Sequence, residues 1–272
     1  MLLAVGACAC SFNGDTVGPT NGINPIGDAD ADADDGRVGT DVIALYKFDS
    51  QIGGEIADVS GFGAPLDLAV VGNGSYDVTS EGWNLTGDTT ISSTTPALKL
   101  AEECAQSNAL SIEVWIRPAS AAQTGPARIL GMSLDPYSSN FVLAQGANNG
   151  NPDARFNVRL LSEDSGDQTV SAVTRSGVVT TNWSHLVFTG ASDGTSSFFV
   201  NGEVEGLFSG GAAATFPGTL SNWDSSYTLN LGNELESNDG LSRFWHGEYA
   251  LLAIYRRDLS EEEVTQNFLA GR

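Results

Sequence analysis

Basic side chains are scarce in this chain of 272 residues. Lysine and arginine together number 12, against 34 aspartates and glutamates, and the formal net charge at pH 7 is −22. Negative charge on this scale repels the phosphates of nucleic acids and the head groups of anionic lipids. We therefore expect no nucleic acid among the partners of this protein.

Cysteine and histidine are also rare, which argues against a transition-metal site. The cysteines are Cys8, Cys10 and Cys104 and the histidines are His185 and His246, and their spacing matches no zinc motif. Cys10 and Cys104 are either a disulfide pair or a mobile thiol and a buried one. We expect His185 to make a structural hydrogen bond within a strand, and His246 to open the last long strand.

No run of about 20 apolar residues, the length that spans a bilayer, is present. The chain starts with the short apolar run MLLAVGACAC, in which Val5-Gly6-Ala7-Cys8 resembles a bacterial lipobox, whose cysteine becomes lipidated. We predict a signal and lipobox segment at residues 1–10 with Cys8 as the lipidation site; the alternative is a degenerate signal that is cleaved without lipidation. The protein is then exported, either as a membrane-anchored lipoprotein at the cell surface or in the periplasm or as a secreted protein. A lipid is its only expected contact with the membrane.

Residues 11–40 have too few apolar side chains to fold. The stretch GDADADADDGRVG alternates aspartate with alanine, and it cannot bury enough apolar surface to offset the entropy of ordering. We predict a disordered acidic tether that self-repulsion extends. An EF-hand loop does not fit, because the sixth residue from Asp30 is Asp35 instead of glycine and the twelfth is Asp41.

Alternation of apolar and polar side chains dominates residues 41–272 and predicts short strands separated by turns. In LSIEVWIRP, Ile112, Val114 and Ile116 lie on one face, while Glu113 and Trp115 lie on the other. Further strands are expected in DVIALYKF, ARFNVRLL, WSHLVFTG, YTLNLGN and GEYALLAIYRR.

The stretch SSFFVNGEVEG predicts a β-hairpin. Asn201-Gly202 suits a two-residue turn, since both residues tolerate the positive φ that such turns require. We expect Phe198, Val200 and Val204 on the apolar face, opposite the neighbouring glutamates.

Helical spacing appears once, in RDLSEEEVTQNFLAGR at the C-terminus. Ser260 and Glu263 form a capping box, and Val264 and Phe268 share a face. Strands followed by a single helix predict an all-β fold, in which two antiparallel sheets pack as a sandwich with one short C-terminal helix.

These motifs resemble one known family. The stretch ALYKFDSQIGGEIADVSGFGAPLDL is similar to the opening of a bacterial LamG-like domain, and LSIEVWIRP, NWSHLVFTG, FFVNGEVEG, LSNWDSSYTLNLGNE and AIYRRDLSEEEV continue the likeness in order. Residues 41–272 are thus identified as a LamG-like jelly roll of the concanavalin A-like lectin/glucanase superfamily. Such folds host many functions, so the resemblance alone implies no activity.

The sequence strings that would carry catalysis are missing. Glucanases of this fold use Glu-x-Asp-x-(x)-Glu, which brings two carboxylates to the substrate. The chain has neither this string nor a G-x-S-x-G nucleophile elbow. We predict that the protein is not an enzyme and that its closest acidic pairs are solvated: Glu203/Glu205, Glu234/Glu236 and Glu261/Glu263.

The resemblance also implies one structural calcium ion, because LamG-like domains often hold one with loop carboxylates and backbone carbonyls. By position, Asp49 and Asp58 are its candidate ligands. The family usually carries an Asp-Glu pair in its last long strand, where this chain has Ala250-Leu251. The alternative role for Asp58 is to cap its own turn.

Glycan recognition requires exposed aromatic side chains. The candidates are Trp115, Trp223 and Trp245, with Trp83 and Tyr137 also in or near loop-like stretches. Core packing is the competing role for each of them. Trp115 is the strongest candidate, because it lies on the polar side of its strand.

Together these features predict a non-catalytic, cell-surface or exported binding module that recognises a glycan or a protein partner. The alternatives are a diverged glycoside hydrolase or polysaccharide lyase, and a structural component of the envelope.

Overall fold

The computed structural model describes residues 36–49, 54–146, 151–235 and 243–272. The predicted signal segment, most of the predicted tether, Cys8 and Cys10 lie outside these ranges. Within them, no helix has the length and apolar character needed to cross a membrane.

The described residues form 18 strands, two α-helices and one short 3-10 helix. The strands are β1 (Val42–Lys47), β2 (Glu55–Ile56), β3 (Leu68–Val71), β4 (Tyr76–Thr79), β5 (Gly82–Leu85), β6 (Thr90–Ser93), β7 (Leu110–Pro118), β8 (Ala127–Ser133), β9 (Ser139–Gln145), β10 (Phe156–Leu160), β11 (Val170–Val173), β12 (Ser184–Gly190), β13 (Ser196–Val200), β14 (Glu203–Glu205), β15 (Phe208–Ser209), β16 (Ala212–Ala213), β17 (Thr228–Leu231) and β18 (Gly247–Tyr255). The helices are α1 (Leu98–Ser107), α2 (Glu261–Ala270) and the 3-10 helix Glu163–Ser165.

The strands build two antiparallel sheets, which confirms the predicted sandwich. The eight-stranded sheet has the order β14-β13-β12-β7-β18-β5-β4, with β1 also paired to β18. The ten-stranded sheet has the order β16-β15-β11-β10-β9-β8-β17-β6-β3-β2. Each segment that the alternation predicted as a strand forms one.

The main hydrophobic core contains the inward faces of both sheets. Ile112, Val114 and Ile116 of β7 belong to the same buried cluster as Phe156 and Val158 of β10. These residues lie two apart along their strands, so the period of two placed them on one face as predicted.

A second apolar layer covers part of the outer face of the eight-stranded sheet. Helix α2 packs Val264 and Phe268 against Trp115 and its neighbours on that face. The predicted capping box starts this helix: the Glu263 N–H donates to Ser260 Oγ (3.3 Å), and the Ser260 N–H donates to Glu263 Oε2 (2.9 Å). The C-terminal helix is therefore confirmed.

Helix α1 differs from the expectation of a single helix. Its N-cap residue, Ala97, makes no side-chain capping hydrogen bond, and only Leu100, Ala101 and Cys104 are buried. The stretch LKLAEECAQS thus has neither a cap nor a long apolar stripe for a sequence pattern to reveal. Cys104 is a free, buried thiol, and burial raises its pKa.

The hairpin has its predicted turn, but one predicted side chain lies on the other face. Asn201 and Gly202 have φ values of 55° and 81°. Phe199 pairs directly with Val204, and directly paired residues point to the same side of a sheet. Val204 therefore lies on the outer face with Phe199 and is 57% exposed, so its predicted place beside Phe198 and Val200 was wrong. The prediction carried the period of two through the turn, whereas a two-residue turn pairs Val200 with Glu203, so residues an odd number apart share a face across it.

The folded domain includes residues that the sequence assigned to the tether. Arg37 and Val38 are both buried. The Val38 N–H donates to Asn267 Oδ1 of α2 (2.8 Å), and Arg37 forms an ion pair with Glu113 of β7. The domain therefore extends N-terminally beyond the predicted boundary at residue 41.

Candidate ligand-binding site

A row of polar side chains crosses the outer face of the eight-stranded sheet beyond the area that α2 covers. Strand register places Arg117 beside Glu248, Glu248 beside Asn84, and Asn84 beside Asp77. Trp183, which directly precedes β12, lies next to Arg117 at the end of this line. We call these five residues the polar row.

Arg117 connects the polar row. Its Nε and Nη2 donate to Glu248 Oε1 at 3.1 and 2.5 Å, and its guanidinium carbon lies 5.2 Å from the centroid of the Trp183 ring. Its Nη1 also lies 3.6 Å from Glu81 Oε2, and the side chains of Arg117 and Glu81 are 38% and 50% exposed. A ligand in solution can therefore reach both groups.

A cavity of about 420 Å³ adjoins the polar row, lined by Lys47, Asp49, Ser80, Glu81, Ala250 and Arg272. Arg272 joins it to the row, because its guanidinium carbon lies 4.5 Å from the centroid of the Trp183 ring. A second cavity of about 360 Å³ shares Lys47 and Asp49 with the first. The outer face of the sheet thus continues into these two cavities, which we call the groove.

The groove forms where β18 changes its partner. Gly247–Tyr249 of β18 pairs with β5 and Leu251–Tyr255 pairs with β1, which leaves Ala250 as an extra residue at the register shift. Gly82 at the start of β5 has φ 151°, and a Cβ there would lie 2.0 Å from the Tyr249 carbonyl oxygen. Only glycine permits this close approach.

The two predicted calcium ligands have different surroundings. Asp49 lines the groove, whereas Asp58 is buried and its Oδ1 accepts the Ser60 N–H (3.0 Å), so it caps its own turn. The described ranges contain no group of three or more His, Cys, Asp or Glu side chains placed to hold a metal ion. Asp58 also forms an ion pair with Lys99, so its carboxylate does not fit the role of a calcium ligand.

The three tryptophans proposed as ligand contacts are packed inside the protein. Trp115 lies on the predicted face, but Phe268 of α2 stacks on it with ring centroids 5.8 Å apart and an interplanar angle of 11°. Trp223 donates its indole N–H to a backbone carbonyl (2.9 Å), and Trp245 donates to Gln145 Oε1 (3.0 Å). All three rings are buried, so none offers a face to a ligand in this structure.

Trp183 is the aromatic residue that the sequence reasoning missed. It precedes His185 by two residues and therefore has the same outward direction in NWSHLVFTG, a signal that the alternation contains. Of the other candidates, Trp83 is fully buried, and Tyr137 is 62% exposed in the turn between β8 and β9.

The two histidines and Glu234 each contact an oppositely charged or acidic partner within the fold. His185 Nε2 lies 2.9 Å from Glu113 Oε1, and neither side chain is exposed, so His185 makes the expected structural contact. Glu234 was expected to be solvated but is buried, accepting from Arg128 Nε at 2.9 Å. His246 immediately precedes β18 and lies 3.2 Å from Asp88 Oδ1.

Comparison with solved structures finds the same fold in proteins of low sequence identity. A Trypanosoma rangeli sialidase in complex with 2,3-difluorosialic acid has a TM-score of 0.58 and 16% identity, over 85% of this chain and 33% of the sialidase chain. Domain 4 of AbnA, a GH43 extracellular arabinanase from Geobacillus stearothermophilus in complex with arabinotriose, has a TM-score of 0.54 and 20% identity, over 83% of this chain and 97% of that domain. The binding domain of botulinum neurotoxin DC in complex with SialylT has a TM-score of 0.56 and 14% identity, over 86% of this chain and 52% of that chain. The chain thus spans about a third of the sialidase chain that it matches.

Sequence comparisons agree with the fold. A search of curated proteins finds no significant match. The model of the concanavalin A-like lectin/glucanases superfamily matches residues 92–265, which is more than half of the chain. The chain therefore belongs to the concanavalin A-like lectin/glucanase superfamily.

Proposed function

We propose that this protein is a non-catalytic glycan-binding module of an exported protein, and that the polar row is its binding face. The observation that carries the proposal is the half-buried Trp183 ring, which lies on the outer sheet face against the planar guanidinium groups of Arg117 and Arg272, with Glu248 bonded to Arg117 beside it. Sugar rings pack their C–H faces on aromatic rings and exchange hydrogen bonds with planar polar groups. The arabinotriose and SialylT complexes among the structural neighbours support a glycan as the ligand.

Charge favours a neutral glycan over an anionic one. Arg117 and Arg272 lie close to Glu81 and Glu248, so cations and carboxylates alternate across the site. A chain with a formal charge of −22 also repels an approaching polyanion. We therefore expect neutral oligosaccharides to bind more tightly than uronate- or sialate-containing ones.

Export and lipidation are the second part of the proposal. The apolar start with its lipobox-like Val5-Gly6-Ala7-Cys8 and the acidic stretch that follows suit a domain held away from a membrane surface. Mass spectrometry of the mature protein tests this part, since acyl mass is expected on Cys8. An unmodified Cys8 would refute the anchor.

The binding proposal is tested on a panel of neutral and acidic oligosaccharides, followed by calorimetry. Trp183→Ala should weaken binding roughly ten-fold, equivalent to about 1.4 kcal/mol, without changing the far-UV circular dichroism spectrum. Tyr137→Ala is the matched control, because it removes an exposed aromatic ring outside the row. Equal affinities for the two variants would refute the assignment of the face.

A parallel assay addresses catalysis and other partners. The full chain is incubated with the polysaccharide panel, and the release of reducing sugar or unsaturated product is measured. Turnover that a single acidic substitution abolishes would replace the binding module with a diverged hydrolase or lyase. Capture of a surface protein with no glycan bound would instead keep a binding module and overturn its ligand class.

A further inference from the structure

The buried carboxylate of Asp58 holds the segment after β2, because it accepts hydrogen bonds from β1 and from the loop that follows Asp58. Asp58 is 8% exposed. Its Oδ1 accepts the N–H groups of Leu45 (3.2 Å) and Ser60 (3.0 Å), and its Oδ2 accepts the N–H of Leu66 (3.0 Å). This one side chain therefore fastens β1 to both ends of the loop at residues 58–66.

Lys99 of helix α1 supplies the positive charge for this loop. Its side chain is 13% exposed, and its ammonium forms an ion pair with Asp58 Oδ2 and donates to the Phe62 carbonyl oxygen (3.0 Å). Carboxylate and backbone carbonyl oxygens are the ligands that a hard cation such as Ca²⁺ uses to fasten loops. Burial alone would raise the pKa of Asp58, but the Lys99 hydrogen bond and charge, together with Ser60, hold it below its ordinary value.

We propose that the Lys99 ammonium is the resident cation of this loop and that it replaces the calcium ion which the family resemblance implies at Asp58. A divalent ion bound to Asp58 would lie close to the ammonium in a site largely closed to water, where like charges repel strongly. The inference concerns α1 and the loop at residues 58–66, so it does not depend on the glycan-binding proposal.

Thermal unfolding of the full chain tests the inference, with Lys99→Met and Lys47→Met compared in chelator and in excess CaCl2. Lys47 is the only other lysine of the chain and lines the surface groove, so its variant is a matched control. The wild-type Tm should be the same in both buffers. Lys99→Met should lower the Tm by roughly 5 to 15 °C, since it breaks a largely buried ion pair, whereas Lys47→Met should change it little.

A pH series separates loss of the charge from loss of packing. Because the folded-state pKa of Asp58 is depressed, its stabilising effect is present at neutral pH and disappears as the pH falls through that value. The Tm difference between wild type and Lys99→Met should therefore narrow on acidification. At neutral pH, adding Asp58→Asn to Lys99→Met should restore part of the Tm that Lys99→Met alone loses. A wild-type Tm that falls in chelator, or a Lys99→Met variant as stable as Lys47→Met, would overturn the proposal.

Discussion

The buried carboxylate of Glu113 should contribute strongly to the stability of the fold. It accepts hydrogen bonds from the Tyr255 hydroxyl (2.9 Å) and Asn267 Nδ2 (2.7 Å), lies 2.9 Å from His185 Nε2 and forms an ion pair with Arg37. These partners come from two strands, α2 and the segment before β1, so one side chain holds four parts of the chain together.

Glu113→Ala removes the carboxylate from this cluster and leaves the guanidinium of Arg37, 7% exposed, in the same buried place. Breaking a buried ion pair by removing one partner costs about 3–5 kcal/mol, which corresponds to a fall in Tm of roughly 6 to 20 °C for a domain of this size. Glu103→Ala is the control. It removes a carboxylate from Arg256 where the two side chains are 22% and 32% exposed, and it should cost less than about 1 kcal/mol.

The pH dependence checks that the charge is responsible. Burial alone would raise the pKa of Glu113, but the hydrogen bond from His185 and the charge of Arg37 hold it below its ordinary value. The stabilisation is therefore fully present above the unfolded-state pKa of about 4.3 and is lost as the pH falls through the folded-state value. Thermal unfolding of wild type and Glu113→Gln should show a stability difference that shrinks below about pH 4. A constant difference, or a Glu113→Ala variant as stable as Glu103→Ala, would refute the reasoning.

Three further predictions concern local structure. Ser260→Ala removes the cap of α2 and should cost about 1 kcal/mol in urea unfolding; an unchanged midpoint would contradict the capping role. Gly82→Ala forces a Cβ within 2.0 Å of the Tyr249 carbonyl oxygen and should destabilise the protein by more than about 1 kcal/mol in the same assay, so wild-type stability would disprove the close approach. Cys104, which is buried with a raised pKa, should react with a thiol reagent only after denaturation; rapid labelling of the native protein would show the opposite.

Eight of the 18 described strands were predicted, because their signal is local; they are β1, β7, β10, β12, β13, β14, β17 and β18. A period of two in LSIEVWIRP is enough to place Ile112 and Val114 in the core, whichever strands lie beside them. The helix at Ser260 carries its own cap in the sequence, whereas α1 has no such cap and forms where Leu100 and Cys104 can join an existing core.

The candidate site was only partly predictable, because its accessibility depends on distant segments. Trp115 and Trp183 both point outward, and only the position of Phe268 in α2 decides that the first is covered and the second remains half-buried. In the same way, the loop carboxylate of Asp58 looks like a metal ligand until Lys99 of α1 is placed beside it.

The amino-acid sequence by itself determined the sandwich, the family and the terminal helix, since alternation, turns and caps act between residues close together in the chain. Only the tertiary structure decided which outward side chains meet solvent and which charges meet each other. Arg117 lies in β7 and Trp183 directly before the neighbouring β12, and Asp58 and Lys99 are 41 residues apart. Such contacts depend on strand order and helix docking, which no local pattern encodes.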